Sequence, residues 1–134
     1  MKRTITSIAV VLLIFTTILA CKKEDTDSQK FKMTGRWQVS KIETTINGVT
    51  TTANYGSDDY MDFKNNTEDE VEVKLGSVTT KGNYLVMVDG SFNLSFNNEL
   101  LYCTTQNISD TNFQFTGSVD KSTTGMTKTY YLIR

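Results

Sequence analysis

Histidine is absent from this 134-residue chain, and cysteine occurs only twice, at Cys21 and Cys103. Without an imidazole, the Ser-His and Cys-His nucleophile arrangements are excluded, together with His-rich zinc sites. No Gly-x-Gly-x-x-Gly or Gly-Lys-Ser/Thr segment occurs, so no loop is built to cradle a nucleotide phosphate. Nor is any apolar run long enough to cross a bilayer, which takes about 20 residues. The strongly apolar stretch covers only Ile8 to Leu19. After Ala20 the only alanine is Ala53, and nowhere do apolar residues recur at helical spacing.

What the N-terminus does contain is the layout of a secretory signal. Lys2 and Arg3 form a positive start, Thr4 to Ala20 carries no charge, and Ala20 puts a small residue before a cleavage point at Cys21. The residues Ile18-Leu19-Ala20-Cys21 resemble the lipobox of bacterial lipoproteins. That resemblance implies acylation of the Cys21 sulfur, cleavage between Ala20 and Cys21, and a membrane partner reached through the lipid. Each buried methylene contributes about 0.8 kcal/mol, so several acyl chains would hold the protein firmly.

Removing residues 1–20 leaves 114 of the 134. The loss of Lys2 and Arg3 leaves 12 basic against 15 acidic residues, a formal charge of −3. This balance argues against nucleic acid as a partner. An acylated Cys21 cannot form a disulfide, so Cys103 is left as a single thiol within Leu100-Leu101-Tyr102-Cys103 and reads as a small buried hydrophobe. Residues 21–32 read as the lipidated cysteine and a flexible polar tether, because Lys22 to Lys30 holds too little apolar surface to offset its ordering entropy. Its Lys23-Glu24-Asp25 also resembles the acidic export signal of Bacteroidetes lipoproteins, which implies an outer-membrane location, on the external face.

Residues 33–134 use strand vocabulary, rich in Thr, Val, Tyr, Phe and Ile. Alternation is explicit at Val71, Val73 and Leu75, at Phe92, Leu94 and Phe96, and at Phe113 and Phe115, so each of these strands has one dry face. Turn signals fall at Asn47-Gly48, Gly56 to Asp59, Asn65-Asn66, Gly82-Asn83, Asp89-Gly90, Asn97-Asn98, Asp110 to Asn112 and around Gly125. The spacing predicts an all-β domain of about eight or nine antiparallel strands in an up-and-down meander that closes into a barrel. In the first strand the apolar phase changes between Val39 and Ile42, which predicts a bulge or bend near Ser40 and Lys41.

Gly35-Arg36-Trp37 at the start of that strand resembles the Gly-x-Trp signature of lipocalins. The resemblance implies a lipocalin-like barrel closed at one end by Trp37 beside Gly35, with a basic side chain from the last strand packed on the indole. Arg134 is the candidate for that contact. It also implies binding of a small apolar ligand, for which Phe92, Phe96, Phe113 and Phe115 would line the cavity. Against a cavity stands the bulk of the inward residues, which could largely fill so small a barrel.

The remaining candidates are weaker. The acidic clusters Asp58-Asp59-Tyr60-Met61-Asp62 and Glu68 to Glu72 offer paired carboxylates, but both fall at turns or alternate outward and read as solvated charge. Their spacing matches no EF-hand loop, so no metal is expected. No catalytic residue and no cofactor are expected. Leu85 to Val88, Leu100 to Cys103 and Tyr130 to Ile133 are apolar on both faces, so half of each should point outward and could meet an envelope protein. The anchor itself is testable: Cys21→Ala should move the expressed protein from the detergent-rich to the aqueous phase in cloud-point partitioning, and an unchanged partition would refute acylation at Cys21.

Overall fold

A computed structural model describes residues 24–134 apart from 98 and 122–124, with side chains from Gln29 onward. The expected signal segment, Ala20 and Cys21 therefore lie outside the described residues. The described residues form one short helix, α1 (Glu24–Met33), followed by nine strands: β1 (Gly35–Ile46), β2 (Val49–Asn54), β3 (Tyr60–Phe63), β4 (Glu70–Leu75), β5 (Val78–Val86), β6 (Phe92–Phe96), β7 (Glu99–Ile108), β8 (Asn112–Ser118) and β9 (Met126–Ile133). All neighbours are antiparallel, in the order β2-β1-β3-β4-β5-β6-β7-β8-β9, and β9 returns to pair with β1. Eight strands thus close a lipocalin-like barrel, and β2 is an additional strand outside the ring.

β1 makes this closure geometrically workable. Its residues Gln38 to Ile46 pair with β9, while on its other edge Gly35 to Gln38 pair with β3 and Lys41 to Ile46 with β2. The β1–β9 register shifts between Val39 and Lys41, where the apolar phase changes. The extra residue lets Trp37, Val39 and Ile42 all point inward. Two-residue turns join β1 to β2 and β4 to β5, with Asn47, Gly48 and Gly76 at positive φ.

Two local expectations need correction. Gly82-Asn83 is no turn; it lies inside β5, and the β4–β5 reversal is made by Gly76-Ser77. Gly82 is there for close approach, since a Cβ on it would sit 2.1 Å from the Ser95 carbonyl oxygen and 2.6 Å from the Phe96 ring. The stretch read as a flexible tether is helical from Glu24 onward. Its last turns are held by tertiary contacts that no apolar periodicity announces. The Trp37 indole N–H donates to the Met33 carbonyl at 2.8 Å, Met33 is fully buried, and Lys30 pairs with Asp69 at 2.6 Å.

The interior is a continuous aromatic stack. Trp37 packs on Phe113 (5.6 Å between ring centroids), Phe113 on Phe115 (5.1 Å), Phe115 on Phe92 (5.0 Å) and flat on Tyr130 (4.7 Å). Phe63 joins from β3 against Tyr84 and Phe92, and Val39, Val71, Leu94 and Leu132 fill the spaces between. Such pairs contribute about 0.5–1.5 kcal/mol each beyond the area they bury. Phe113 touches four of the other rings, those of Trp37, Phe63, Phe92 and Phe115, so Phe113→Ala should lower stability by about 3–5 kcal/mol. This should appear as a lower urea midpoint with an unchanged slope.

Candidate functional site: a plugged base and an apolar mouth

The two ends of the barrel differ in chemistry. At the base, β1 begins, β9 ends, and α1 lies across the opening. The structure brings Gly35, Trp37 and Arg134 together there: the Arg134 guanidinium carbon lies 3.7 Å from the Trp37 ring centroid. Arg134 also donates to the carbonyls of Thr34 and Arg36. Gly35 has φ +106°, and a Cβ on it would come within 3.0 Å of the guanidinium, so the glycine makes room for the arginine. Gln29 adds bonds from α1 to the Gly90 carbonyl and to the Thr105 hydroxyl (2.8 Å). Gln29, Trp37 and Arg134 thus spend their polar groups on holding the plug.

The acidic residues raised as candidates are likewise engaged. Asp59 accepts from the Gly56 and Gly76 amides at 2.7 and 2.6 Å, which hold its carboxyl below the usual range and tie the β2–β3 loop to the β4–β5 turn. Asp62 is buried against Lys64 (2.6 Å) and Arg36 (3.3 Å) instead of lying solvated. Glu72 accepts from the Tyr60 hydroxyl at 2.6 Å, which lowers its pKa, and Lys81 approaches at 3.6 Å. Among the described residues no group of three acidic or cysteine side chains is placed to hold a metal ion.

The opposite end, the mouth, is where the β1–β2, β4–β5, β6–β7 and β8–β9 connections lie. An apolar cleft of about 210 Å³ opens there, lined by Met61, Val73, Leu75, Phe96, Leu101 and Tyr130, with Thr80, Glu99 and Lys128 completing it. Of the four phenylalanines expected to line a cavity only Phe96 does so; Phe92, Phe113 and Phe115 interlock in the filled core. Of the nine large apolar residues exposed among the described residues, five flank the mouth connections: Ile46, Val49, Val78, Leu100 and Val119. Alternation could have found the cleft lining. The rim could not be seen without knowing that the four connections converge.

The outer wall carries a wider polar groove of about 670 Å³ around Asn93, Tyr102, Thr104, Gln106 and Thr116, with Lys121 set 5.3 Å from the Tyr102 ring. Cys103 lies behind it with its side chain in the core, where burial pushes its thiol up to about 12. No protein-family model, curated protein or solved structure matches this chain.

Two outcomes follow. Replacing Arg134 with Met should cost about 0.5–2 kcal/mol, read as a lower melting temperature. Cys103 should resist disulfide reagents at pH 8 until the protein is denatured. Its folded pKa lies above the unfolded value, so the folded state keeps the proton longer. Its contribution is therefore intact below about pH 8.5 and is lost as pH rises toward 12.

Proposed function

We propose that this chain is an envelope-anchored, non-enzymatic lipoprotein, held at the outer membrane by acyl chains on Cys21, that works as an interaction module with a filled barrel. The observation that carries this reading is the interior itself: Trp37, Phe63, Phe92, Leu94, Phe113, Phe115 and Leu132 are all fully or almost fully buried in one core, and the apolar cleft of about 210 Å³ among the described residues lies at the mouth. Pockets that engulf a drug-sized ligand run to about 300–1,000 Å³. Binding is thus assigned to the surface, and above all to the mouth. Supporting the absence of enzymatic activity, the candidate carboxylates are spent on turns and ion pairs, and the thiol is buried and protonated.

A second reading is favoured by one feature of the cleft. Lys128 stands among its apolar walls, so the end of a small amphipathic ligand with an acidic head could lodge there. Oleate and retinol discriminate between the two readings. The filled barrel should leave Trp37 emission unchanged and show no stoichiometric uptake of either compound. Saturable one-to-one binding would overturn it in favour of a ligand carrier, and loss of that binding in Lys128→Ala would place the head group.

A further inference from the structure

β2 is the one strand of the sheet that the barrel does not use on both sides. Its six residues, Val49 to Asn54, are all exposed, and it pairs only with β1. The register joins Ile46 with Val49 and Lys41 with Asn54, and the Tyr55 amide donates to the Ser40 carbonyl at 2.9 Å. Odd-numbered residues of this segment therefore direct their backbone groups at β1. Those of Thr50, Thr52 and Asn54 point away from it, along a free edge.

Natural sheets protect such edges with charges, prolines, bulges or a covering element. Val49-Thr50-Thr51-Thr52-Ala53-Asn54 has no charge and no proline, and its pairing with β1 is uninterrupted. β3, which shares one edge of β1 with β2, and its neighbour β4 supply Met61, Val73 and Leu75 to the mouth cleft. An open ladder and an apolar socket thus lie on the same side of the mouth, and Val49 belongs to both the edge and the exposed rim.

We propose that this edge is a strand-addition site for an extended, apolar-bearing segment of a partner protein, which pairs with Thr50, Thr52 and Asn54 and places one large side chain in the cleft. The proposal rests on the interaction-module reading above. Two observations select a polypeptide over other occupants. Glu99 and Lys128 both stand in the cleft, and neither forms an ion pair with a described residue. An acid and a base flanking one socket suit a chain that offers both donors and acceptors, whereas an acyl chain would leave Glu99 uncompensated. The expected anchor favours the same occupant: the end of α1, the element that follows Cys21 in the chain, meets the barrel at its base, opposite the mouth. Backbone bonds would supply affinity and the socket selectivity, as in other strand-addition modes.

The test uses the full-length protein in detergent and a fluorescein-labelled heptapeptide of alternating threonine and valine with a central phenylalanine, blocked at both ends. Fluorescence anisotropy should rise saturably. N-methylation of alternate residues should weaken binding about tenfold in one register and little in the other. Thr52→Pro and Leu75→Lys should each weaken it comparably, with the N-methyl pair carrying the test if either variant fails to fold. Absence of binding at about 1 mM peptide, or equal effects of the two N-methyl registers, would overturn the proposal. A dimer that Thr52→Pro dissociates would also overturn it, by assigning the edge to a second copy. Uptake of oleate or retinol unaffected by Thr52→Pro would instead count against the module reading alone.

Discussion

The pairing of β1 with β9 is the constraint on which the rest of the molecule depends. Once the first and last strands join, the interior has a set diameter, and every inward side chain must fit inside a ring of eight strands. The shift between Val39 and Lys41 is what permits it, since without the extra residue β1 would turn either Trp37 and Val39 or Ile42 away from the core. A one-residue irregularity in one strand therefore decides whether the barrel has a single continuous core.

Filling follows from closure. Seven aromatic rings and their aliphatic neighbours occupy the barrel interior, and the plug of α1, Trp37 and Arg134 seals the base. What is left for function is the end where the rings run out. There the mouth connections carry exposed aliphatic side chains, and in the cleft between Val73, Leu101 and Tyr130 apolar surface meets the charged Glu99 and Lys128. The division between a sealed base and an open mouth is thus a consequence of where the largest side chains sit along the strands.

β2 shows the same logic from the outside. The β2–β3 loop, fixed by Asp59 to the β4–β5 turn, carries the chain away from the ladder, so β4 pairs with β3 and β5 and never reaches β2. Among the described strands β2 is the one paired along a single side, and its free edge lies beside the mouth.

Much of this was legible in the sequence. Alternation at Val71 to Leu75, Phe92 to Phe96 and Phe113 to Phe115 announced half-buried strands, because side chains in a strand alternate with a period of two whatever the tertiary context. Asn47-Gly48 and Asp89-Gly90 marked reversals, and the phase change near Ser40 marked the bulge. The pairing of Trp37 with Arg134 was expected from a resemblance, and the coordinates place the two in contact. The sequence could not separate Gly82 in a strand from Gly76 in a turn, because a glycine kept for close packing and one kept for positive φ look alike until the neighbouring strand is in place. Nor could it reveal that a polar stretch forms α1, whose order comes from Gln29, Lys30 and Met33 reaching residues far along the chain. By itself, then, the sequence determined strand class, periodicity and the identity of the core, since these are local. Only the tertiary structure decided that the core fills the barrel, that the mouth is apolar and that β2 keeps a free edge, because each depends on which distant segments closure brings side by side.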